Sequence, residues 1–349
     1  MEDPTLPNGV SLRVMSFNVL LELPAENNIP TVQAKNRMRA LCREIRSHAP
    51  DLVGVQEDTL RWHEAFLELL PEYRAIRSEE PVYKTTEHCA VLYRKDLICK
   101  AYGSHWLTAD GTKETVALTV ADLAGNGKYA LEPEELESLG ISPVSPDSVL
   151  KEHRRTEKGT TYEYLNSRRM SYAVVEADGV EILHVNTHFQ HRGQNASYMF
   201  QALSKLRNFE RLKQYDLLCG IVAEVKKRYP RARVILTGDF NDVADSDIYR
   251  AVSGDYRDTE KLSPRRSGYP GSWNCAYGRA VQGDNFPSEH EGRDGGCIDF
   301  CFVQPGEDIA VSHFQTGIGR ADVTADGGTE KTIYTSDHLP IIVDFKIQK

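Results

Sequence analysis

Apolar residues recur along the chain in short runs that predict eight β-strands. The runs are rich in Val, Ile, Leu and Phe and are bounded by Gly, Pro, Asn or Asp, as is typical of strands. They lie at Arg13–Leu20, Leu52–Gln56, Cys89–Arg94, Ser171–Glu176, Val180–Asn186, Arg233–Thr237, Cys297–Val303 and Leu339–Ile347. The fourth and fifth runs are joined by Ala177-Asp178-Gly179. An Asp-Gly pair between apolar runs favours a β-hairpin.

Three further segments carry apolar residues at the spacing of a helix, and each ends before a proline. The apolar positions are Met38, Leu41 and Ile45; Trp62, Phe66 and Leu69; and Leu212, Leu218, Val222 and Val225. Strands and helices that alternate in this way favour an α/β (α+β) protein with mixed sheets and helices packed outside them.

Two segments fit this alternation poorly, although we expect residues 1–349 to form a single domain. Ala101–Asn166 is polar and contains three prolines, so it is interpreted as an insertion. Gln194–Phe209 also looks inserted. Pro264–Gly296 is rich in Gly and Ser and is predicted to be a long surface loop, and such loops often bind ligands.

The aromatic and basic residues of that last loop have two interpretations. Arg265, Arg266, Tyr269, Trp273 and Tyr277 mix cations with aromatic rings, which could stack on a base or a sugar of a substrate. The alternative is an ordinary surface loop with one packed Trp.

Polar side chains occur where the predicted strands end or begin. They are Asn18 in "VMSFNVL", Glu57 in "DLVGVQED", His188 in "ILHVNTHFQH", Asp239 and Asn241 in "ILTGDFND", Asp299 in "GGCIDFCFV", and Asp337 and His338 in "YTSDHLPIIVDF". Ligands of open α/β sheets bind at the carboxyl edge of the strands, and an antiparallel neighbour begins at that same edge. We therefore expect one site to collect all six segments.

The chemistry of these side chains suits phosphate esters. Glu57, Asp239 and Asp337 are hard oxygen donors, as Mg²⁺ or Mn²⁺ prefers, and such ions bind phosphate oxygens directly.

The amides and imidazoles supply proton chemistry around the phosphate. Asn18 and Asn241 can donate to a phosphate without adding negative charge. His338 is a candidate general base that Asp299 would orient, and a protonated His188 would bind a phosphate oxygen or the leaving group. Together these parts describe metal-assisted attack of water on phosphorus. Either His338 or Asp239 could activate the water, and we favour His338.

The order of these motifs resembles the endonuclease/exonuclease/phosphatase superfamily. The resemblance also covers "EHCAVLYRK" and "NSRRMSYAVVE", in which Arg169 would bind substrate, and runs from about Arg13 to Ile347. It implies a four-layer sandwich of two packed mixed β-sheets flanked by helices, and metal-dependent hydrolysis of phosphodiesters or phosphomonoesters.

The resemblance also implies roles for individual residues. Glu57 would be the main metal ligand, helped by Asn18 and Asp337. Asp239 and Asn241 would hold the attacking water, the metal or the phosphate. His338 and Asp299 would form the acid/base dyad.

We expect a phosphodiesterase or nuclease-type activity that uses Mg²⁺ or Mn²⁺. The alternatives are a phosphomonoesterase acting on a lipid-headgroup or sugar phosphate, and a catalytically inactive binding scaffold. The net charge of -9 and the pI of about 5.7 argue against sequence-independent electrostatic binding of nucleic acid, but they do not exclude a nuclease.

Two other metal sites are weaker alternatives. His184, His188 and His191 could be zinc ligands, but no Cys pair with ligand spacing accompanies them. The stretch from Asp122 to Glu134 resembles a degraded calcium loop, in which Ala124 and Pro133 replace ligands. A turn followed by a helix is the favoured interpretation of that stretch.

The remaining features concern the environment of the protein. Seven cysteines with scattered spacing indicate a reducing compartment rather than a disulfide framework. No apolar run is long enough to span a bilayer, and the first residues do not form a signal peptide. We therefore expect a cytoplasmic location, and the sequence makes no prediction about oligomeric state.

Overall fold

The structure is a computed structural model of the chain. It describes residues 9–22, 29–77, 88–141, 149–151, 154–157, 160–163, 165–192, 198–282, 296–306, 308–324 and 328–349.

Two large mixed sheets organise the fold, and strands are numbered in chain order. The seven-stranded sheet consists of β1 (Gly9–Asn18), β2 (Leu52–Asp58), β3 (Tyr73–Ile76), β4 (His88–Arg94), β14 (Arg266–Ser267), β16 (Ile309–Thr316) and β19 (Ile341–Gln348), in the order β14-β16-β19-β1-β2-β4-β3. The six-stranded sheet consists of β5 (Ile98–Trp106), β10 (Arg169–Ala177), β11 (Val180–His188), β12 (Arg233–Asp239), β13 (Arg257–Asp258) and β15 (Asp299–Val303), in the order β13-β15-β12-β11-β10-β5.

Three strand pairs and eight helices complete the described elements. The pairs are β6 (Thr115–Thr119) with β7 (Val149–Lys151), β8 (Arg154–Glu157) with β9 (Thr160–Glu163), and β17 (Arg320–Thr324) with β18 (Glu330–Tyr334). The helices are α1 (Ala34–His48), α2 (Leu60–Leu69), α3 (Val120–Ala124), α4 (Pro133–Leu139), α5 (Tyr198–Arg228), α6 (Asp247–Asp255), α7 (Thr259–Leu262) and α8 (Cys275–Gln282). None of these helices combines the length and the apolar character that crossing a membrane requires.

Buried apolar side chains arrange these elements in four layers. One core fills the space between the sheets, where Val14 and Val91 meet Val185, and continues over the outer face of the six-stranded sheet to Leu218 of α5. A second core joins the outer face of the seven-stranded sheet to α1 and α2. The predicted sandwich of two mixed sheets flanked by helices is therefore confirmed.

All eight predicted strands are present, and so is the predicted hairpin. Asp178 and Gly179 connect β10 to β11 with positive φ angles of 48° and 85°. A two-residue hairpin turn of the favoured twist requires positive φ at both central positions, which Asp-Gly tolerates. The Asp-Gly signal in the sequence thus has a direct backbone explanation.

Parts of both segments that were interpreted as insertions belong to regular elements of the main fold. Ala101 to Trp106 belongs to β5, so the part outside the two large sheets begins at residue 107. Tyr198 to Phe209 is the first part of the 31-residue helix α5.

Residues 107–141, which we name the accessory module, pack against the first half of α5. Leu118, Leu123 and Leu139 share a core there with Leu203 and Leu206. The two predicted insertions therefore contact each other in one small core.

A polar bridge fixes the two sheets against each other just below their common edge. Asn186 of β11 donates to the carbonyls of Val55 (2.8 Å) and Ala90 (2.9 Å), and accepts from the Gln56 amide at 2.6 Å. The sheets approach so closely that a Cβ at Gly54 would overlap Asn186 and the neighbouring Thr237 of β12. This contact fixes the position of the end of β2 relative to the ends of β11 and β12 in the facing sheet.

Candidate active site

Strand register brings the predicted polar residues to one edge of the sandwich. In the six-stranded sheet, His188 pairs with Asp239 across the parallel strands β11 and β12, and Asp239 pairs with Asp299 across β12 and β15. In the seven-stranded sheet, Asn18 ends β1 and Glu57 lies next to the end of the parallel strand β2. These side chains therefore lie at one edge of the sandwich, as the sequence predicts.

Glu57 leaves its strand through an irregular backbone. Its φ is 61°, and the pairing of β2 with β4 shifts register between Val55 and Asp58. A left-handed conformation at a residue other than Gly is costly and clusters at functional sites. The Glu57 carboxylate is held by the Leu21 N–H, which donates to Oε2 at 2.9 Å.

The Asn18 amide connects the two sheets at the site. Its Nδ2 donates to Glu57 Oε1 at 3.0 Å and to Asp239 Oδ2 at 2.9 Å, while its Oδ1 accepts from the Leu20 N–H at 3.0 Å. The backbone donor fixes which end of the amide is the oxygen. Asn18 thus turns both N–H groups towards carboxylates and its oxygen towards the backbone, which does not fit its predicted role as a metal ligand.

Asp239 and Asn241 form a tight turn after β12. Asn241 has a φ of 54°, and its N–H donates to Asp239 Oδ1 at 2.7 Å. Its Nδ2 donates to His188 Nε2 at 2.8 Å and to the Phe189 carbonyl at 2.9 Å. Burial, and then the negative charge of Asp299, raise the pKa of the Asp239 carboxyl above its ordinary value.

His338 and Asp299 form the predicted dyad. His338 Nδ1 lies 2.7 Å from Asp299 Oδ2, and Nε2 lies 3.9 Å from both Asp239 Oδ2 and Asp337 Oδ1. Burial alone lowers the pKa of His338, but the charges of Asp299 and Asp337 outweigh it and raise that pKa well above its ordinary value. These carboxylates therefore favour the protonated form of His338.

His188 has the opposite electrostatic surroundings. Burial, and then the charge of Arg168, lower the pKa of His188 well below its ordinary value. Arg168 Nη1 lies 3.2 Å from His188 Nδ1 and 3.5 Å from Nε2. These surroundings disfavour the protonated His188 that the sequence predicts. Arg168, which the sequence analysis missed, places a positive charge beside the ring.

Arg169, the predicted substrate-binding residue, contacts a different part of the molecule. Its guanidinium lies 4.0 Å from the centre of the Trp106 ring, and Nη1 lies 3.1 Å from His88 Nδ1. Arg169 is 3% exposed. Arg168 and Arg169 line one small pocket together with His88 and His188, so Arg169 borders the site.

The aromatic loop contributes one ring to the site. Trp273 lies 4.9 Å from the His338 ring, centre to centre, at 40°. Tyr277 is 3% exposed and packs in a core with Leu20 and Val32. Tyr277 therefore cannot stack on a base or sugar, whereas the exposed side chain of Tyr269 remains accessible.

The residues at this rim fit a divalent cation. Asp239, Asp299 and His338 place one donor atom each within 4.8 Å of one another. Glu57 joins this group through the Asn18 amide, and Asp337 joins it through His338. Within the described part of the chain, the buried Asp299 Oδ1 has no hydrogen-bond donor. Because Mg²⁺ and Mn²⁺ prefer carboxylate oxygens, this group of acids is a suitable environment for such an ion.

The alternative metal sites lack the required geometry. His184 is buried and its Nε2 lies 2.9 Å from Thr237 Oγ1, and the described residues contain no cluster of His184, His188 and His191. The Asp122 carboxylate caps α3 by accepting from the Thr119 N–H at 2.9 Å, and it binds Lys213 at 3.0 Å. These partners occupy the oxygens that a calcium ion would need.

The fold and the rim define an α/β sandwich with a carboxylate- and histidine-rich centre at one edge. The chain belongs to the Endonuclease/Exonuclease/phosphatase family, whose family model matches residues 15–338. This membership confirms the family resemblance of the sequence. No protein among those with curated descriptions matches the chain.

Solved structures with the same fold come from bacteria and animals. A family member from Bacteroides thetaiotaomicron is 20% identical with a TM-score of 0.64, over 98% of this chain and 99% of that one. A mannosyl-6-phosphatase from the same organism is 20% identical with a TM-score of 0.63, over 96% and 99%. TDP2 from D. rerio, complexed with a single-strand DNA product, is 16% identical with a TM-score of 0.54, over 96% and 98%. At sequence identities this low, the structural similarity shows that these proteins share the fold and shows nothing more.

Proposed function

We propose that this protein hydrolyses phosphodiesters with the help of a bound Mg²⁺ or Mn²⁺. The observation that carries the proposal is a continuous hydrogen-bonded path across the rim. It runs from Glu57 through the Asn18 amide to Asp239. Asn241 continues it, because its backbone N–H donates to Asp239 and its side-chain amide contacts His188. A purely structural rim would not need two buried acids, Asp239 and Asp299, beside two buried histidines.

The cation would be held by Glu57 and Asp337, with Asp239 beside them. When bound, it would supply positive charge to the phosphate oxygens where negative charge develops during the reaction. Arg168 would donate to the same oxygens, because its guanidinium lies beside His188 at the rim. The side-chain amides of Asn18 and Asn241 bind Glu57, Asp239 and His188, so they hold these groups in place.

The charges around the site favour Asp239 as the acceptor of the water proton. Its pKa is raised by burial and by Asp299, so it is a stronger base than an ordinary carboxylate. Asp299 and Asp337 raise the pKa of His338, which favours His338 as the donor of a proton to a phosphate oxygen or to the leaving group. The sequence alone favoured His338 as the base.

Replacement of either key residue tests the activity. Glu57→Gln and His338→Ala should each lower kcat for bis-p-nitrophenyl phosphate with Mn²⁺ by about 100-fold or more, because each change removes a group used in the transition state. Glu68→Gln on the exposed face of α2 and His313→Ala on β16 are matched controls that should retain the wild-type rate. Wild-type turnover in Glu57→Gln would refute the proposed site.

The same assay separates the remaining alternatives. Faster turnover of p-nitrophenyl phosphate than of the diester would indicate a phosphomonoesterase. No turnover of either ester with Mg²⁺ or Mn²⁺, alongside binding of phosphate esters, would indicate an inactive scaffold. EDTA should abolish the activity, and added Mn²⁺ should restore it.

A further inference from the structure

Arg37 of α1 is a fully buried cation below the candidate active site. It is 0% exposed, and its guanidinium lies 5.3 Å from the centre of the Trp62 ring and 5.9 Å from that of Tyr277. An arginine buried at this depth is expensive unless its donors are satisfied. No motif in the sequence pointed to this residue.

The donors of Arg37 bind backbone carbonyls of two separate segments. Nη1 donates to Val19 O at 2.8 Å and to Thr335 O at 3.1 Å. Nη2 donates to Leu20 O at 3.0 Å and to Leu21 O at 3.2 Å. A planar guanidinium can hold several carbonyls in a fixed arrangement, which a lysine ammonium cannot.

The first segment follows β1 and binds the side chains of Asn18 and Glu57 through its backbone. The Leu20 N–H binds Asn18 Oδ1, and the Leu21 N–H binds Glu57 Oε2. Leu20 itself has a φ of 54°, a conformation that needs support from its surroundings. Arg37 and the Trp62 indole, which donates to Leu20 O at 3.0 Å, supply that support.

The second segment leads into Asp337 and His338. Thr335 precedes Ser336, whose hydroxyl donates to the Asn18 carbonyl at 2.7 Å and accepts from the His338 N–H at 3.1 Å. One guanidinium therefore connects the backbone that holds Glu57 to the backbone that carries Asp337.

We infer that Arg37 is a positioning residue that sets the separation of Glu57 and Asp337 and thereby the affinity for the divalent cation. The inference rests on the metal centre of the proposed function. Arg37 touches neither the cation nor the substrate. Removal of a group that orients metal ligands typically weakens metal binding 10- to 100-fold.

Mn²⁺ binding to the full chain, without substrate, tests this role. Electron paramagnetic resonance of free Mn²⁺ gives the dissociation constant for the wild type, Arg37→Met and Arg37→Lys. We expect at least a tenfold weaker affinity in Arg37→Met and a smaller loss in Arg37→Lys, which keeps the charge but not the planar fork. If Arg37→Met does not fold, Arg37→Lys decides the question.

Arg13→Met is the matched control at the other end of β1. Arg13 binds Asp344 at 2.6 Å and the His48 carbonyl at 2.7 Å, so its loss should lower the melting temperature while Mn²⁺ affinity stays within twofold of wild type. Wild-type Mn²⁺ affinity in both Arg37 variants would overturn the inference, and so would an equal loss of affinity in Arg13→Met. A wild-type protein that binds Mn²⁺ but hydrolyses no ester would contradict the proposed function and leave this inference standing.

Discussion

At the scale of single residues, the adjacent arginines Arg168 and Arg169 make different contacts, which the sequence could not distinguish. Successive side chains along an extended chain point in opposite directions, so only one of two adjacent arginines reaches a given group. Arg168 reaches His188, whereas Arg169 stacks on Trp106. The Arg-bearing strand was predicted, but the residue that faces His188 depends on a direction that the sequence pattern does not define.

Arg168→Met should therefore reduce catalysis more than Arg169→Met. One charge-assisted hydrogen bond to a phosphate oxygen is worth about 1.5–3 kcal/mol, so Arg168→Met should lower kcat/KM for the diester about 10- to 100-fold. Arg169→Met should change kcat/KM less than threefold while lowering the melting temperature, because it removes a buried stack on Trp106. Steady-state kinetics and thermal melts of both variants provide the measurement. A larger kinetic loss in Arg169→Met would reverse the assignment.

The acids and histidines of the rim were the most predictable part of the site. Each follows or precedes an apolar strand, and strand register then decides which of them meet, as in the row His188, Asp239 and Asp299. Arg37 was unpredictable for a physical reason. Its inferred role depends on backbone carbonyls of distant segments. Every residue has such a carbonyl, so the sequence does not show which ones Arg37 binds.

At the scale of elements, helix α5 shows why the helical spacing of apolar residues can be hidden in a sequence. Its first half packs Leu203 and Leu206 against the accessory module, and its second half packs Leu218 and Val222 against the six-stranded sheet. The apolar face changes between the two halves, so only the second half was predicted as a helix. Strand β5 was missed for a related reason, since its residues alternate between exposed and half-buried at the edge of a sheet.

Glu210 of α5 makes the contact with the accessory module dependent on pH. Its carboxylate accepts from the N–H groups of Ala117 (2.6 Å) and Leu118 (3.1 Å), and burial raises its pKa to about 7. A folded-state pKa above the unfolded value of about 4.5 gives a contribution to stability that is complete below pH 4.5 and is lost as pH rises through 7.

Glu210→Gln should remove this pH dependence. The free energy of unfolding of the wild type, relative to the variant, should fall by up to about 3 kcal/mol between pH 4.5 and pH 8, since each unit of pKa shift corresponds to about 1.4 kcal/mol. Urea unfolding of both proteins at each pH measures this difference. Parallel pH profiles for the two proteins would contradict the interpretation.

At the scale of the whole molecule, the described residues divide into the sandwich and the accessory module with its own small core. The sandwich was predictable because its strands are apolar runs with clear boundaries. The accessory module was recognised only as a polar stretch with prolines, because its elements are short and bury their apolar residues against α5.

Leu123→Ala should loosen the accessory module and leave the sandwich intact. Leu123 is 0% exposed, and a buried Leu→Ala change typically costs about 2–5 kcal/mol. Hydrogen exchange should accelerate in residues 116–141 and in the first half of α5 while β1, β2, β11 and β12 keep their protection. A uniform acceleration across all strands would mean that the two cores unfold together.

The central claim is that Glu57 and Asp337 hold one divalent cation at the common edge of the two sheets, with Asp239 and His338 beside it. Anomalous X-ray diffraction from crystals soaked in Mn²⁺ tests it most directly. The account predicts a single strong anomalous peak within bonding distance of a Glu57 carboxylate oxygen, which disappears in Glu57→Gln crystals. A peak bound elsewhere, or its persistence in Glu57→Gln, would contradict the account.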